Sequence, residues 1–74
     1  MSKHLVFKNA VCLRESKAAI LVDLNNGREP MWIPQSQIHD DSDVYESNGS
    51  GKLIVTRWIA EQKGIEDWGE DYDE

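Results

Sequence analysis

Hydrophobic positions in the first half of the chain fall into short runs of strand length. Residues 5–7 and 11–13 predict an opening strand with an irregularity between the two runs. Residues 18–24 form the clearest strand, since they are rich in large aliphatic side chains and end before Asn26-Gly27, a pair typical of a type I′ turn. The pattern therefore predicts an antiparallel hairpin.

The return strand of this hairpin spans residues 28–33. Pro30 has no backbone N–H to donate, so this strand should lie at an edge or begin at Met31. The turn at residues 35–38 is expected to re-enter the core through Ile38. The remaining predictions for this half are a short strand at 44–46, a flexible Gly- and Ser-rich loop at 47–51 and a last strand at 52–55.

A two-turn helix is predicted over Arg57–Lys63. Thr56 stands at its N-cap position, and Gly64 stands where a left-handed residue would end it. Three apolar side chains are expected to seat this helix on the sheet: Trp58, Ile59 and Ile65. The whole pattern predicts a mainly β (α+β) fold, a small antiparallel β-barrel or curled sheet closed by one short C-terminal helix.

Charge divides the chain into two unequal parts. Residues 64–74 contain six acids and no base, which accounts for the whole net charge of −6, so the preceding residues are formally neutral. Like charges repel, and a segment this acidic buries little apolar surface. We therefore expect one small β-barrel-like domain at residues 1–65 and a disordered acidic-aromatic tail at residues 66–74.

The tail interleaves aromatic and acidic side chains. It is either a solubilising end or a ligand for a basic groove, with Trp68 and Tyr72 sharing one face if the segment becomes helical on binding. The residues expected to contact a partner are Trp68, Tyr72, Glu66, Asp67, Glu70 and Asp71.

The segment Trp-Ile-Pro-Gln-Ser-Gln-Ile at positions 32–38 has two interpretations. As a strand end and turn, it would bury Trp32 and Ile38 in the core. As a binding lip, it would present aromatic and hydrogen-bonding groups to nucleic acid or another ligand. The lip would comprise Trp32, Gln35, Ser36, Gln37, Arg28 and Lys52.

Several kinds of chemistry find little support in the sequence. Residues 49–52 read Gly-Ser-Gly-Lys but lack the first glycine and the Ser/Thr of a phosphate-binding P-loop, and a strand follows. His4, Cys12 and His39 have no zinc-like spacing, and a single cysteine forms no intramolecular disulfide. We expect no catalytic residue, metal or cofactor. The sequence predicts a cytoplasmic protein with neither a signal peptide nor a membrane span.

Three stretches together resemble a family of small bacteriophage and prophage proteins. They are SKAAILVDLNNGREPMWIPQSQI, DDSDVY and GKLIVTRWIAEQKGI, and the match covers about residues 16–65. The family shares a Trp-Ile-Pro-x-Ser-Gln-Ile motif, in which Gln35 replaces an expected lysine. This resemblance implies a phage-encoded cytoplasmic accessory protein and implies no reaction.

Two functional hypotheses follow. The first is a non-enzymatic accessory or inhibitor protein whose acidic tail binds a basic host or phage protein, by mimicking nucleic acid. The alternative is a module that binds single-stranded nucleic acid and is autoinhibited by the tail, with Tyr45 and Arg57 added to the lip. The neutral charge of the body weighs against the alternative, because such binding relies on a basic surface.

Overall fold

The computed structural model describes residues 3–25, 27, 29–44 and 49–72. Predictions that involve Asn26, Arg28 or residues 45–48 lie outside the described residues, as do Asp73 and Glu74 of the tail. The strands are β1 His4–Glu15, β2 Ala19–Asp23, β3 Met31–Pro34, β4 Ser50–Thr56 and β5 Glu70–Asp71, with helix α1 at Arg57–Lys63. Two 3-10 turns span Gln35–Gln37 and Glu66–Trp68.

The strands form one antiparallel sheet in the order β3-β2-β1-β4, and β5 pairs with β1. The predicted irregularity in the opening strand is confirmed, because the β1–β4 register shifts between Phe7 and Ala10. The predicted start of the return strand at Met31 is confirmed as well. Strand β1 therefore runs through the middle of the fold and carries three of the pairings.

The sheet does not close into a barrel. After β3 the chain crosses to the outer edge of β4, where Ile38 forms an isolated bridge with Val55. Beyond this bridge the His39 N–H donates to the Ile54 carbonyl at 2.8 Å, and the Ser42 hydroxyl accepts the Ile54 N–H at 2.9 Å. Among the described strands β3 pairs with β2 and not with β4, so the barrel alternative is wrong.

Helix α1 has the predicted bounds and both predicted ends. The Thr56 Oγ1 atom accepts the Ile59 N–H at 3.2 Å, and Gly64 adopts the left-handed conformation with φ 69°. Ile59 and Ile65 are buried as expected. Trp58 is 59% exposed, so the prediction that it seats the helix on the sheet is wrong.

The core is almost entirely aliphatic. Phe7 is the one aromatic side chain among the buried core residues that the structure describes. The largest fully buried side chains come from all four main strands and from the chain after α1: Leu5, Ile20, Ile33, Leu53, Ile54 and Ile65. Because residues of α1 and of β1–β4 share one core, the helix covers one side of the sheet.

The described part of the acidic tail, residues 66–72, lies against β1, whereas the sequence predicted disorder. Strand β5 pairs Asp71 with Leu5 and Glu70 with Val6, and the Tyr72 N–H donates to the His4 carbonyl at 3.1 Å. β2 begins its pairing only at Val11, so β5 extends the same edge of β1 that β2 occupies further along. Backbone pairing with β1 and basic side chains on the body offset the charge repulsion within this segment.

The segment can dock on β1 because Gly69 has no side chain where it packs against Leu5 and Phe7. A Cβ atom at position 69 would lie 2.9 Å from the Leu5 Cβ atom and 3.0 Å from the Phe7 Cζ atom. The φ angle of Gly69 is −87°, a value that alanine adopts without strain, so the constraint is steric.

We expect Gly69→Ala to displace β5 from β1. The added methyl overpacks a filled site, which should lower the free energy of unfolding by about 1–3 kcal/mol. Hydrogen exchange of the Tyr72 amide should accelerate, because its bond to the His4 carbonyl depends on this docking. Asp67→Ala, at an exposed position two residues earlier, is the matched control. Unchanged protection of the Tyr72 amide in Gly69→Ala would contradict the docking.

Candidate functional site

Two acidic segments that are far apart in the sequence meet on one side of the molecule. The Tyr72 hydroxyl donates a hydrogen bond to the Asp41 carboxylate at 2.5 Å and so links β5 to the loop after Ile38. We call five exposed acids of these segments the acidic surface: Asp40, Asp41, Asp67, Glu70 and Asp71. The sequence predicted the last three as partner-binding residues and did not include Asp40 or Asp41 in that set.

Aromatic rings support the junction between the two segments. The His39 and Tyr72 rings are 5.2 Å apart between centroids, and the His4 and His39 rings are 4.9 Å apart at nearly right angles. The Asp41 N–H donates to His39 Nδ1 at 3.0 Å, which fixes the start of the acidic loop. Tyr72 is therefore a structural contact, with its hydroxyl already engaged, as well as a member of the predicted partner-binding set.

Two basic residues of the body pair with acids of β5. The Lys8 Nζ atom lies 3.0 Å from the Glu70 carboxylate, and the Arg57 guanidinium contacts the Asp71 carboxylate. The Lys8 and Glu70 side chains are 68% and 62% exposed, so solvent screens their attraction and the pair is weak. Two basic side chains of the protein, Lys8 and Arg57, therefore lie at the margin of the acidic surface.

A cleft opens beside the acidic surface, at the edge of β1. On the edge of β1 that β5 and β2 share, no described strand pairs between Val6, which faces β5, and Val11, which faces β2. We call the resulting space, about 260 Å³, the edge cleft. Its lining consists of Val6, Phe7, Leu24, Lys8, Asn9, Trp68 and Glu70. Leu24 and Lys8 were not among the predicted site residues, because the cleft depends on where two strand pairings stop.

Trp68 and Glu66 differ in solvent exposure. The Trp68 side chain is 46% exposed and forms part of the edge cleft. Glu66 is half-buried, and its Oε2 atom is covered by the fold. Of the predicted partner-binding residues in the first turn of the segment, Trp68 and Asp67 are therefore the more accessible.

The residues of the predicted lip lie on several elements. Trp32 is 44% exposed rather than buried in the core, and it lies on β3, which two strands separate from Lys52 on β4 in the order of the sheet. Gln35 donates to the Ser16 carbonyl at 2.9 Å, and Gln37 accepts from the Thr56 hydroxyl at 2.6 Å. Both amides therefore brace the turn around the exposed Ser36. Arg28, the other predicted lip residue, and Tyr45 lie outside the described residues.

Asp41 has a lowered pKa. The main cause is the hydrogen bond from the Tyr72 hydroxyl; desolvation opposes it, and attraction to the neighbouring His39 and Lys52 adds to the lowering. Asp41 is therefore ionised throughout the physiological range.

Cys12 lies outside the acidic surface, and the described residues provide no grouped metal ligands. Cys12 is fully buried in the core, and its burial raises the pKa of the thiol, which disfavours the nucleophilic thiolate. Across the described residues, no three His, Cys, Asp or Glu side chains are grouped so that they could hold a metal ion. The described helix is also too short and polar to cross a membrane.

In comparisons with known proteins, no family model, curated protein or solved structure matches this chain. The resemblance to phage proteins therefore remains a prediction.

We expect Tyr72→Phe to raise the pKa of Asp41 toward its ordinary value. The substitution removes the hydroxyl that stabilises the carboxylate and keeps the ring that packs near His4 and His39. In the native chain the folded pKa is the lower one, so the contact stabilises the fold above the unfolded pKa of about 4. That contribution is lost as pH falls through the folded value.

Carboxyl-carbon NMR during a pH titration measures this change directly. The carboxyl-carbon signal of Glu61, which lies on α1 and outside the acidic surface, serves as the internal control when the two proteins are compared. An unchanged Asp41 titration in Tyr72→Phe would contradict the hydrogen bond.

Proposed function

We propose that this chain is a non-enzymatic accessory or inhibitor protein of phage type that binds a basic protein partner through its acidic surface. The observation that carries the proposal is the Tyr72–Asp41 hydrogen bond, which joins two acidic segments into one surface. Carboxylates held on a folded surface resemble a row of phosphates more closely than a flexible tail does. A partner that normally binds nucleic acid is therefore the class of target that this surface suits.

In this proposal electrostatic attraction and apolar packing contribute to different aspects of binding. The carboxylates steer a basic partner toward the surface and set the salt dependence of association. The exposed Trp68 beside them supplies the kind of aromatic contact that dominates the binding energy of protein interfaces. Because β5 is already docked on β1, less conformational entropy is lost on binding than in folding a disordered tail.

Competition against nucleic acid tests the proposal. A panel of basic DNA-binding proteins, each loaded with a fluorescent duplex, is titrated with the chain while anisotropy is recorded. We expect the duplex to be released from at least one panel member. Neutralising two exposed acids in Asp40→Asn/Asp67→Asn should weaken the competition by about fivefold to tenfold at low salt, as expected for two surface charges.

The matched control is Glu29→Gln/Glu61→Gln, which removes the same net charge from exposed positions outside the acidic surface. Equal weakening by both double variants would show a general charge effect and contradict the proposed surface. Failure to release duplex from any panel member would contradict nucleic-acid mimicry.

A second function has one specific observation in its favour. The acids of β5 pair with Lys8 and Arg57, as an autoinhibitory segment would if it covered cations that bind single-stranded nucleic acid. Trp32 and Lys52 lie on strands that do not pair with each other, which counts against the nucleic-acid face that the sequence predicted. We rank this function second for that reason.

Breaking both ion pairs separates the two functions. If the second function holds, Glu70→Gln/Asp71→Asn should bind a labelled single-stranded oligonucleotide more tightly than the native chain, with a strong salt dependence. Under the first function neither protein binds the oligonucleotide. The Glu29→Gln/Glu61→Gln protein again controls for net charge.

A further inference from the structure

The edge cleft has the size of a single-side-chain site. Its volume of about 260 Å³ falls below the range of roughly 300–1,000 Å³ that is typical of small-molecule pockets. The stretch of this β1 edge that lacks a partner strand, between Val6 and Val11, is also short, and the Asn25 side chain already donates to the Asn9 carbonyl there at 2.7 Å. An added peptide strand would find little room, whereas one long side chain would fit.

The lining of the cleft combines three different surfaces. Phe7 and Leu24 are only 5% and 9% exposed, and they form the apolar base of the cleft. The partly exposed Trp68 indole and the Glu70 carboxylate lie at the rim. An apolar base suits the methylene stem of a long side chain, an indole attracts a flat cation, and a carboxylate accepts its hydrogen bonds.

Charge around the cleft favours a cationic occupant. Asp67 and Asp71 flank the two rim residues in the sequence and are exposed. The Lys8 ammonium already lies 3.0 Å from Glu70, which shows that the rim carboxylate accepts a cation. Because both side chains of that pair are largely in solvent, an incoming cation can replace Lys8 at small cost.

We propose that the edge cleft binds an arginine side chain of the basic partner. The guanidinium stacks on Trp68 and donates to Glu70, while its stem covers Phe7 and Leu24. Arginine fits better than lysine because its planar, weakly hydrated head both stacks on aromatic rings and pairs with carboxylates in a fork. This inference rests on the proposed function and names the group that the partner inserts.

A nucleobase could also stack on Trp68, but its phosphates would face Asp67, Glu70 and Asp71. Repulsion from these carboxylates favours the arginine. A mononucleotide is therefore included in the test as the competing ligand.

Two peptides of equal length and charge provide the test, one with arginines spaced by glycine and one with lysines in the same places. Each is titrated into the full chain by calorimetry and by NMR of the three tryptophan indole N–H groups. We expect the arginine peptide to bind about fivefold more tightly and to shift the Trp68 signal, with Trp32 and Trp58 as internal controls. Trp68→Leu and Glu70→Gln should each remove the arginine preference, and Trp58→Leu should keep it.

The outcomes separate this inference from the proposed function. Equal affinity for both peptides, unaffected by Trp68→Leu and Glu70→Gln, would overturn the arginine site and leave the acidic surface in place. Failure of both peptides to bind would overturn the acidic surface as well. A Trp68 shift caused by the mononucleotide but not by the arginine peptide would overturn the site in favour of nucleic acid.

Discussion

The fold depends on β1, which forms backbone hydrogen bonds with three other strands. This strand has one edge devoted to β4, while its other edge is shared by β2 near its C-terminal half and by β5 near its N-terminal end. A register shift between Phe7 and Ala10 separates the two halves, and such an irregularity bends a strand. Because the pairings of β2 and β5 stop on either side of this bend, a cleft forms there and the C-terminal segment has an edge to dock on.

The acidic surface is a consequence of that docking rather than of local composition. The closely spaced carboxylates of this segment repel one another, and the repulsion must be offset before the segment can pack. Here the offset comes from backbone bonds to β1, from the ion pairs with Lys8 and Arg57, and from the Tyr72 hydrogen bond to Asp41. Each ion pair is weak on its own, so the close packing of Gly69 against Leu5 and Phe7 is needed to hold the register.

Local signals in the sequence predicted the local structure well. The helix ends at Thr56 and Gly64, the strand start at Met31 and the irregular opening strand all follow from rules that act within a few residues. The alternation of β3 also carried a signal that was overlooked. Ile33 is buried, so its neighbour Trp32 must face the other side of the strand, and treating Trp32 as a core residue ignored that constraint.

The candidate site could be predicted only in part because its decisive contacts are long-range. Tyr72 and Asp41 are 31 residues apart, and nothing near either residue indicates the other. The same holds for Leu24 and Trp68, which share a cleft only because two strand pairings end near them. Composition identifies an acidic-aromatic segment. Whether that segment docks depends on contacts with β1 that offset its loss of chain entropy, and composition does not report these contacts. A charged terminal segment should therefore be judged against the cations and open strand edges that its own fold provides, before it is taken to be disordered.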